Sequence, residues 1–440
     1  MVRWARGLRY EDIPASVIEQ TKLRLLDLAG AAWAGTQADG IPQLIDVVTA
    51  WGGSPQHSVI GSQLRTSLPL AVLVNATVAR ALELDDVHEK ALLHPTVATA
   101  PIALGIAEGS HVDGRALLTA LVAAQEVTCR LGLAPEYHVS GPKHRPRGWS
   151  FTYQAGTLGG ALLAALLRGL DDDHILDALG NAYTALAGNQ QAIKEATLAI
   201  RVQQGLCAQT SVQSVDLAEA GITGPHEVLE GDFGWLTFWH GGSYDRDVLV
   251  SDLGSRWEVA GTSIKPYPVC RITHNAVSAT LEVVADAAVP LDEIERLVVH
   301  VNSQESWDEV VHPLDRRRSP ISAMDAQFSL PFVCAVAAVH GSVTLEHVSE
   351  SAVRDPVVLA MAARVDPVLD PGHDQAEGRV IPMPITVDLH TRDGRVVSRR
   401  SATPLGHPGR PLSWDQVAAK VGDCVRWGSS PVDQSAVDEV

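Results

Sequence analysis

Between residues 81 and 100 the chain reads ALELDDVHEKALLHPTVATA. Four carboxylates, a lysine and two histidines crowd this stretch, whereas its flanks are nearly uncharged: residues 67–81 carry Arg80 alone and residues 95–107 carry no charge. Apolar helical segments of this kind belong inside a bundle, and charge gathered between two of them marks the lip of a pocket. Glu83, Asp86 and Lys90 step by three and then four, and His88 and Glu89 lie three and four residues beyond Asp85. That spacing predicts a helix with each set on one side. His94-Pro95 interrupts it, because proline disfavours the helical conformation at the residue before it. The following TVATAPIALGIAE resumes a small, apolar helix. An acidic pair such as Asp85-Asp86 is ordinarily a solvated helix end; the uncharged flanks favour the pocket reading. His88 and Glu89 near Asp85 raise a metal site, but no HExxH or similar ligand spacing accompanies them.

The rest of the first 260 residues repeats the theme. Residues 11–35 form a helix whose face is marked by Ile18, Leu25, Leu26 and Ala29, with Gly30 and Gly35 ending or loosening it. Asp113 caps a helix, ALLTALVAAQEVTCRLGLA, that is apolar nearly all round. Residues 135–147 are a polar loop, and a further small-residue helix follows Gly148-Trp149-Ser150-Phe151-Thr152-Tyr153. Residues 189–205 place Gln190, Gln191, Lys194, Arg201, Gln203 and Gln204 between alanine-rich helices. This region reads as one large all-helical domain. Composition shifts near Gly261. Residues 297–302 (LVVHVN) read as a strand, and residues 384–400 as a hairpin turning at Asp393-Gly394. Helices are expected at about 273–286, 325–340 and 355–364, which makes an α+β domain. Residues 411–427 read as a last helix, and the tail from Gly428 as disordered.

At 440 residues two domains are the natural expectation. With 34 Lys and Arg against 52 Asp and Glu, the net charge of −18 argues against nucleic acid and anionic membrane as partners. Five widely spaced cysteines without a CxxC fit free thiols in a reducing cytoplasm. The start, MVRWARGLRY, has no apolar core of a signal peptide after it, and no uncharged run reaches the ~18 residues of a membrane helix.

A second candidate stretch is Ser263-Ile264-Lys265-Pro266-Tyr267-Pro268-Val269-Cys270-Arg271-Ile272-Thr273-His274. Two prolines hold it extended, and a helix begins near Thr273. Helix N-termini favour anions, and arginine and lysine pair with carboxylates. Read blandly, it is an interdomain linker with solvated charges; Cys270 and His274 lack the two further ligands a zinc site needs. No GxGxxG or GxSxG occurs. Carboxylates and imidazoles at 83–94, with cations at 194–201 and 265–274, suit proton abstraction next to a carboxylate held by cations.

These motifs together resemble the MmgE/PrpD family. The resemblance covers residues 10–425 and rests on Ala81-Leu82-Glu83-Leu84-Asp85-Asp86 followed by His94-Pro95, on Gly156-Thr157-Leu158-Gly159, on Gly221-Ile222-Thr223-Gly224-Pro225 with Leu229-Glu230-Gly231, and on Lys265-Pro266-Tyr267-Pro268-Val269-Cys270 with His274. It implies a large helical domain built from both chain ends, a smaller α+β domain, a homodimer, no required metal or organic cofactor, and a pocket between the domains for a small di- or tricarboxylate. In the family, residues matching Glu83, Val87, His94, Ser150, Lys265 and Cys270 line that pocket. The family has aspartate at the first position, usually threonine at the second and often histidine at the fourth. Many members also place a Thr-Lys pair and then a histidine ahead of the glycine matching Gly205; here Ala199-Ile200 and Gln203 stand there, with Arg201 next door.

The expectation is therefore a mainly α protein: a helical domain over 1–261, an α+β domain over 262–400, and a return to the helical domain over 401–440. The expected activity is a cofactor-independent lyase, a dehydratase acting on a small polycarboxylic acid. Epimerisation, decarboxylation and ligand binding without catalysis are the alternatives. His94 and Asp86, with Tyr153, Lys265 and His274, are the candidate catalytic groups. Glu83, Ser150, Lys194, Arg201, Gln203, Cys270 and Arg271 are the candidate substrate contacts.

Overall fold

The computed structural model describes residues 1–135, 148–370 and 384–428. The polar loop expected at 135–147, apart from Pro135, and the tail beyond Gly428 lie outside them. Two compact units are formed: Met1–Ala81, Asp85–Ile264 and Ser413–Val440 make the first, and Leu82–Leu84 with Lys265–Leu412 the second.

The first unit is helical. Its principal helices are α1 (Ala15–Gly35), α2 (Leu68–Arg80), α3 (Pro95–Glu108), α4 (Gly114–Leu133), α5 (Phe151–Leu167), α6 (Asp172–Thr184) and α7 (Ala199–Glu219), and the helix Trp414–Trp427 packs back onto α1. Starts follow the capping rules: Asp113 accepts from the Ala116 N–H at 2.8 Å and Asp171 from that of His174 at 3.0 Å. Pro95 occupies the first turn of α3, where its missing N–H costs nothing. The buried side of α1 differs from the expected face. Leu25 and Leu26 are half-buried and Ala29 is exposed, while Ile18, Thr21, Arg24, Asp27, Leu28 and Ala31 face inward. Two charges on the inner face disguise its periodicity. Each has a partner: Lys420 reaches Asp27 at 2.6 Å, and Arg24 faces Asp86 at 3.8 Å.

Helices α3, α5 and α7 pack on one another and begin at a common end. A methyl at Gly156 would stand 2.8 Å from that of Ala98, and one at Gly160 would stand 2.7 Å from Ile102. The matched steps from 98 to 102 and from 156 to 160 make α3 and α5 parallel. Near the start of α7, the Tyr153 hydroxyl donates to the Ile200 carbonyl at 3.0 Å and the Gln204 amide to that of Val97 at 3.5 Å. Small residues permit this approach. Helix α4 has the length and hydropathy of a membrane span, but most of it is buried in the bundle. Two short antiparallel pairs interrupt the helices: β1 (His57–Ser58) with β2 (Arg65–Thr66), and β3 (Val87–His88) with β4 (Thr262–Ser263).

The helix expected over residues 83–90 does not form. Glu83 and Leu92 take left-handed conformations, with φ of 55° and 56°, and Val87-His88 are extended against β4. Each carboxylate of the stretch finds its own partner instead, as described below, and those partners lie on different sides of the chain.

The second unit carries a sheet in the order β6-β5-β7-β8, from β5 (Ile294–Val301), β6 (Val365–Leu369), β7 (Ile385–Thr391) and β8 (Val396–Ser401). β6 runs parallel to β5, and the other pairs are antiparallel. The hairpin turns at Asp393-Gly394, where Gly394 has φ 89°. Strand β6 was not expected; Pro367 within it masks the pattern and is tolerated because β6 is an edge strand. Helices α8 (His274–Ala287), α9 (Leu330–His340) and α10 (Pro356–Ala362) complete the unit, with the expected 325–340 helix split at Phe328-Ser329 by a second cap.

A methyl at Gly205 would meet the Leu73 carbonyl of α2 at 2.1 Å and the Thr77 hydroxyl at 2.2 Å. Backbone cannot yield cheaply there. Gly205→Ala is expected to destabilise the protein by about 2–4 kcal/mol, whereas Gly114→Ala, with open space around the new methyl, is expected to be near neutral. Urea unfolding of both variants checks this.

Candidate active site

His94 stands immediately before α3 and is mostly buried, its side chain 15% exposed. Its Nδ1 lies 2.6 Å from the Asp86 carbonyl and 3.0 Å from a carboxylate oxygen of Asp85. Both neighbours only accept, so Nδ1 carries the proton and donates it to the carbonyl, with the Asp85 carboxylate beside the bond at ion-pair distance. The neutral ring then has its lone pair on Nε2, which has no hydrogen-bond partner among the described residues. That is the arrangement of a base ready to take a proton. Asp85 is fully buried and its other oxygen takes the Arg80 guanidinium at 3.0 Å.

Asp86 turns the other way. Its carboxylate accepts from the Thr96 N–H at 3.2 Å and the Thr96 hydroxyl at 2.5 Å, which closes the first turn of α3. Burial pushes its pKa up to about 7, against the opposing pull of Arg24 and Thr96. With 1% exposure, it holds the helix that begins beside His94, and its carbonyl orients the imidazole. Nearby, His88 and Glu89 are engaged by the chain around β4: His88 contacts the Glu258 carbonyl at 3.0 Å and Glu89 accepts from Ser263 at 2.5 Å.

A second group gathers at the starts of α5 and α7. Ser150 is half-buried at the N-cap of α5, and Trp149 bridges to Asn189. The Asn189 N–H donates to the Gln203 side chain at 2.9 Å. Tyr153 is buried, with Gly188 packed against its ring. Its hydroxyl is engaged by Ile200, so it serves the packing of α5 on α7. Arg201 is buried and donates to the Asp39 carbonyl at 2.7 Å, and Lys194 is exposed. None of the N-cap side chains of α3, α5 and α7 caps its helix. Three helices starting together concentrate the positive ends of their dipoles, each equivalent to roughly half a charge. An anion fits that end.

In the second unit Lys265 is buried and pairs with Glu83 at 3.0 Å. Glu83 pays for this with its left-handed backbone. Gln327 ties the segment down by donating to the carbonyls of Leu82 and Pro268, both at 2.9 Å. Cys270 lies 3.9 Å from Glu309, and burial pushes its thiol well above the ordinary range. Arg271 donates to His274 Nδ1 at 3.2 Å and to the Leu405 carbonyl at 3.0 Å, while His274 Nε2 donates to the Val269 carbonyl at 3.2 Å. Both nitrogens of that fully buried ring are thus engaged, and His274 orders the start of α8.

The comparison with known proteins covers both parts of the chain. Residues 1–246 match the MmgE/PrpD N-terminal domain and residues 267–439 the MmgE/PrpD C-terminal domain. The chain belongs to the MmgE/PrpD family. Among its relatives, cis-aconitate decarboxylase of Aspergillus terreus is 27% identical over 455 residues, covering 99% of this chain and 90% of that protein. Human cis-aconitate decarboxylase is 25% identical over 426 residues, covering 94% and 84%. A cis-aconitate decarboxylase-like protein of Aspergillus oryzae is 25% identical over 438 residues, covering 96% and 88%.

Sequence reasoning named His94 and Asp86 together as candidate proton carriers. The carboxylate that reaches the imidazole is that of Asp85. Once residues 83–90 are not helical, neighbouring acids point to different partners, and no local spacing rule separates them.

Asp86 makes a pH signature. Its folded pKa of about 7 exceeds the ordinary ~3.9 of an unfolded aspartate. The folded state therefore binds more protons in that window, and stability falls as pH rises from about 4 to about 7. Asp86→Asn lacks this slope. Between pH 5 and 7.5 the wild type is expected to lose up to about 3 kcal/mol relative to the variant, measured by urea unfolding; parallel curves would contradict the assignment.

Proposed function

We propose that the protein is a lyase that moves a proton at a carbon next to a carboxylate of a small polycarboxylic acid, without a cofactor. One observation carries this reading: the accepting nitrogen of His94 at the common start of three helices. The helix ends hold a substrate carboxylate through backbone N–H groups and their dipoles. His94 Nε2 removes the acidic C–H proton, and the same dipoles stabilise the enolate-like charge that develops. Loss of a β-hydroxyl as water completes a dehydration.

Decarboxylation is the second reading, supported by the relatives, which are cis-aconitate decarboxylases. There carbon dioxide leaves and His94, entering protonated, delivers a proton to the carbon. Membership of the family and alignments covering 84–90% of the relatives' length support a lyase in either case.

A panel of cis-aconitate, citrate, 2-methylcitrate and malate, followed by proton NMR in the presence of EDTA, tests the proposal. Interconversion of a hydroxy acid and its alkene supports dehydration, and release of carbon dioxide supports decarboxylation. Exchange of a C–H with deuterated water alone indicates epimerisation, and binding without conversion indicates a ligand-binding protein. His94→Gln is expected to lower kcat at least about 100-fold with an unchanged melting temperature. Undiminished turnover in the folded variant removes His94 from the chemistry.

A further inference from the structure

Arg80, Asp85 and His94 form a chain of contacts that the proton transfer itself does not require, and its burial gives it a purpose. Arg80 is 6% and Asp85 0% exposed, with 3.0 Å between guanidinium and carboxylate and 3.0 Å between carboxylate and His94 Nδ1. We propose that Asp85, held by Arg80, is a positioning residue that stabilises the protonated state of His94 during turnover. This rests on the reading of His94 as the proton carrier.

Two acceptors meet one N–H, and they do different work. The Asp86 carbonyl takes the hydrogen bond at 2.6 Å and sets the ring orientation and tautomer. A carbonyl carries only a partial charge. When Nε2 gains a proton, the ring becomes a cation in a site largely closed to water, where charges act strongly on one another. The Asp85 carboxylate, beside Nδ1, supplies the compensating charge at that moment. A buried carboxylate needs its own support, and Arg80 supplies it from the end of α2 while fixing the carboxylate's rotation. Asp85 itself is sealed from solvent and acts only through His94. Charged groups facing this corner include Asp86, whose carboxylate turns to Thr96, and its neighbour Arg24 on α1.

The decisive variant is Asp85→Asn, which keeps the shape and removes the charge. Its effect is read with the acid converted fastest in the panel above. We expect kcat to fall about 10- to 1,000-fold with KM within about twofold, since charge support is needed only after proton transfer begins. The acidic limb of the pH–rate profile should move to lower pH, because removing a carboxylate disfavours the protonated ring. A purely structural role would not move that limb. Asp85→Glu should recover part of kcat. If the single variant unfolds because Arg80 is left uncompensated, Arg80→Met combined with Asp85→Asn restores neutrality and should show the same kcat loss. A folded Asp85→Asn enzyme with wild-type kcat and pH profile overturns the proposal. If His94→Gln is inactive in the same assay, that failure belongs to Asp85 alone; if His94→Gln is active, the reading of His94 fails and takes this proposal with it.

Discussion

Three helices starting side by side and pointing the same way are an electrostatically expensive arrangement. Their dipoles repel, and the positive ends gather in one place. Helices α3, α5 and α7 accept this because glycines and alanines let their sides interlock: Gly156 meets Ala98, and Gly160 meets Ile102 and Ser211. The dispersion and burial gained along that seam offset the repulsion. What remains at the common end is a field that favours negative charge. Asp86 uses part of it by closing the first turn of α3.

The acidic stretch is organised around this end by division of labour. Glu83 leaves the helical unit altogether and neutralises Lys265 in the second. Asp85 pairs with Arg80, Asp86 with Thr96 and Arg24, and Glu89 with Ser263. Four carboxylates within seven residues would repel one another on a helix. Dispersed into four environments, each becomes a fixed part of the scaffold, and the imidazole of His94 keeps an Nε2 without a hydrogen-bond partner among the described residues, whereas His88 Nδ1 accepts from the Ala91 N–H.

Much of this was legible in the sequence. Charge confined between uncharged, small-residue segments located the important stretch, His94-Pro95 marked the start of α3, and Asp113 and Asp393-Gly394 gave a cap and a turn. The family followed from the order of motifs along the chain. The conformation of residues 83–92 was not legible, because it is dictated by partners far away in sequence: Thr262 and Ser263 on β4, and Lys265. Nor was the inner face of α1, where Arg24 and Asp27 are buried by virtue of Asp86 and Lys420. Which of two adjacent aspartates touches His94 depends on that same long-range pairing. Imidazoles such as His274, which looked chemically available, are taken by neighbours only a folded chain supplies.

A crystal structure with a bound tricarboxylate tests the central claim most directly. The account predicts one carboxylate at the first-turn N–H groups of α5 or α7, and the carbon bearing the acidic hydrogen about 3–3.5 Å from His94 Nε2. A ligand bound elsewhere, with that nitrogen facing no substrate carbon, would contradict it.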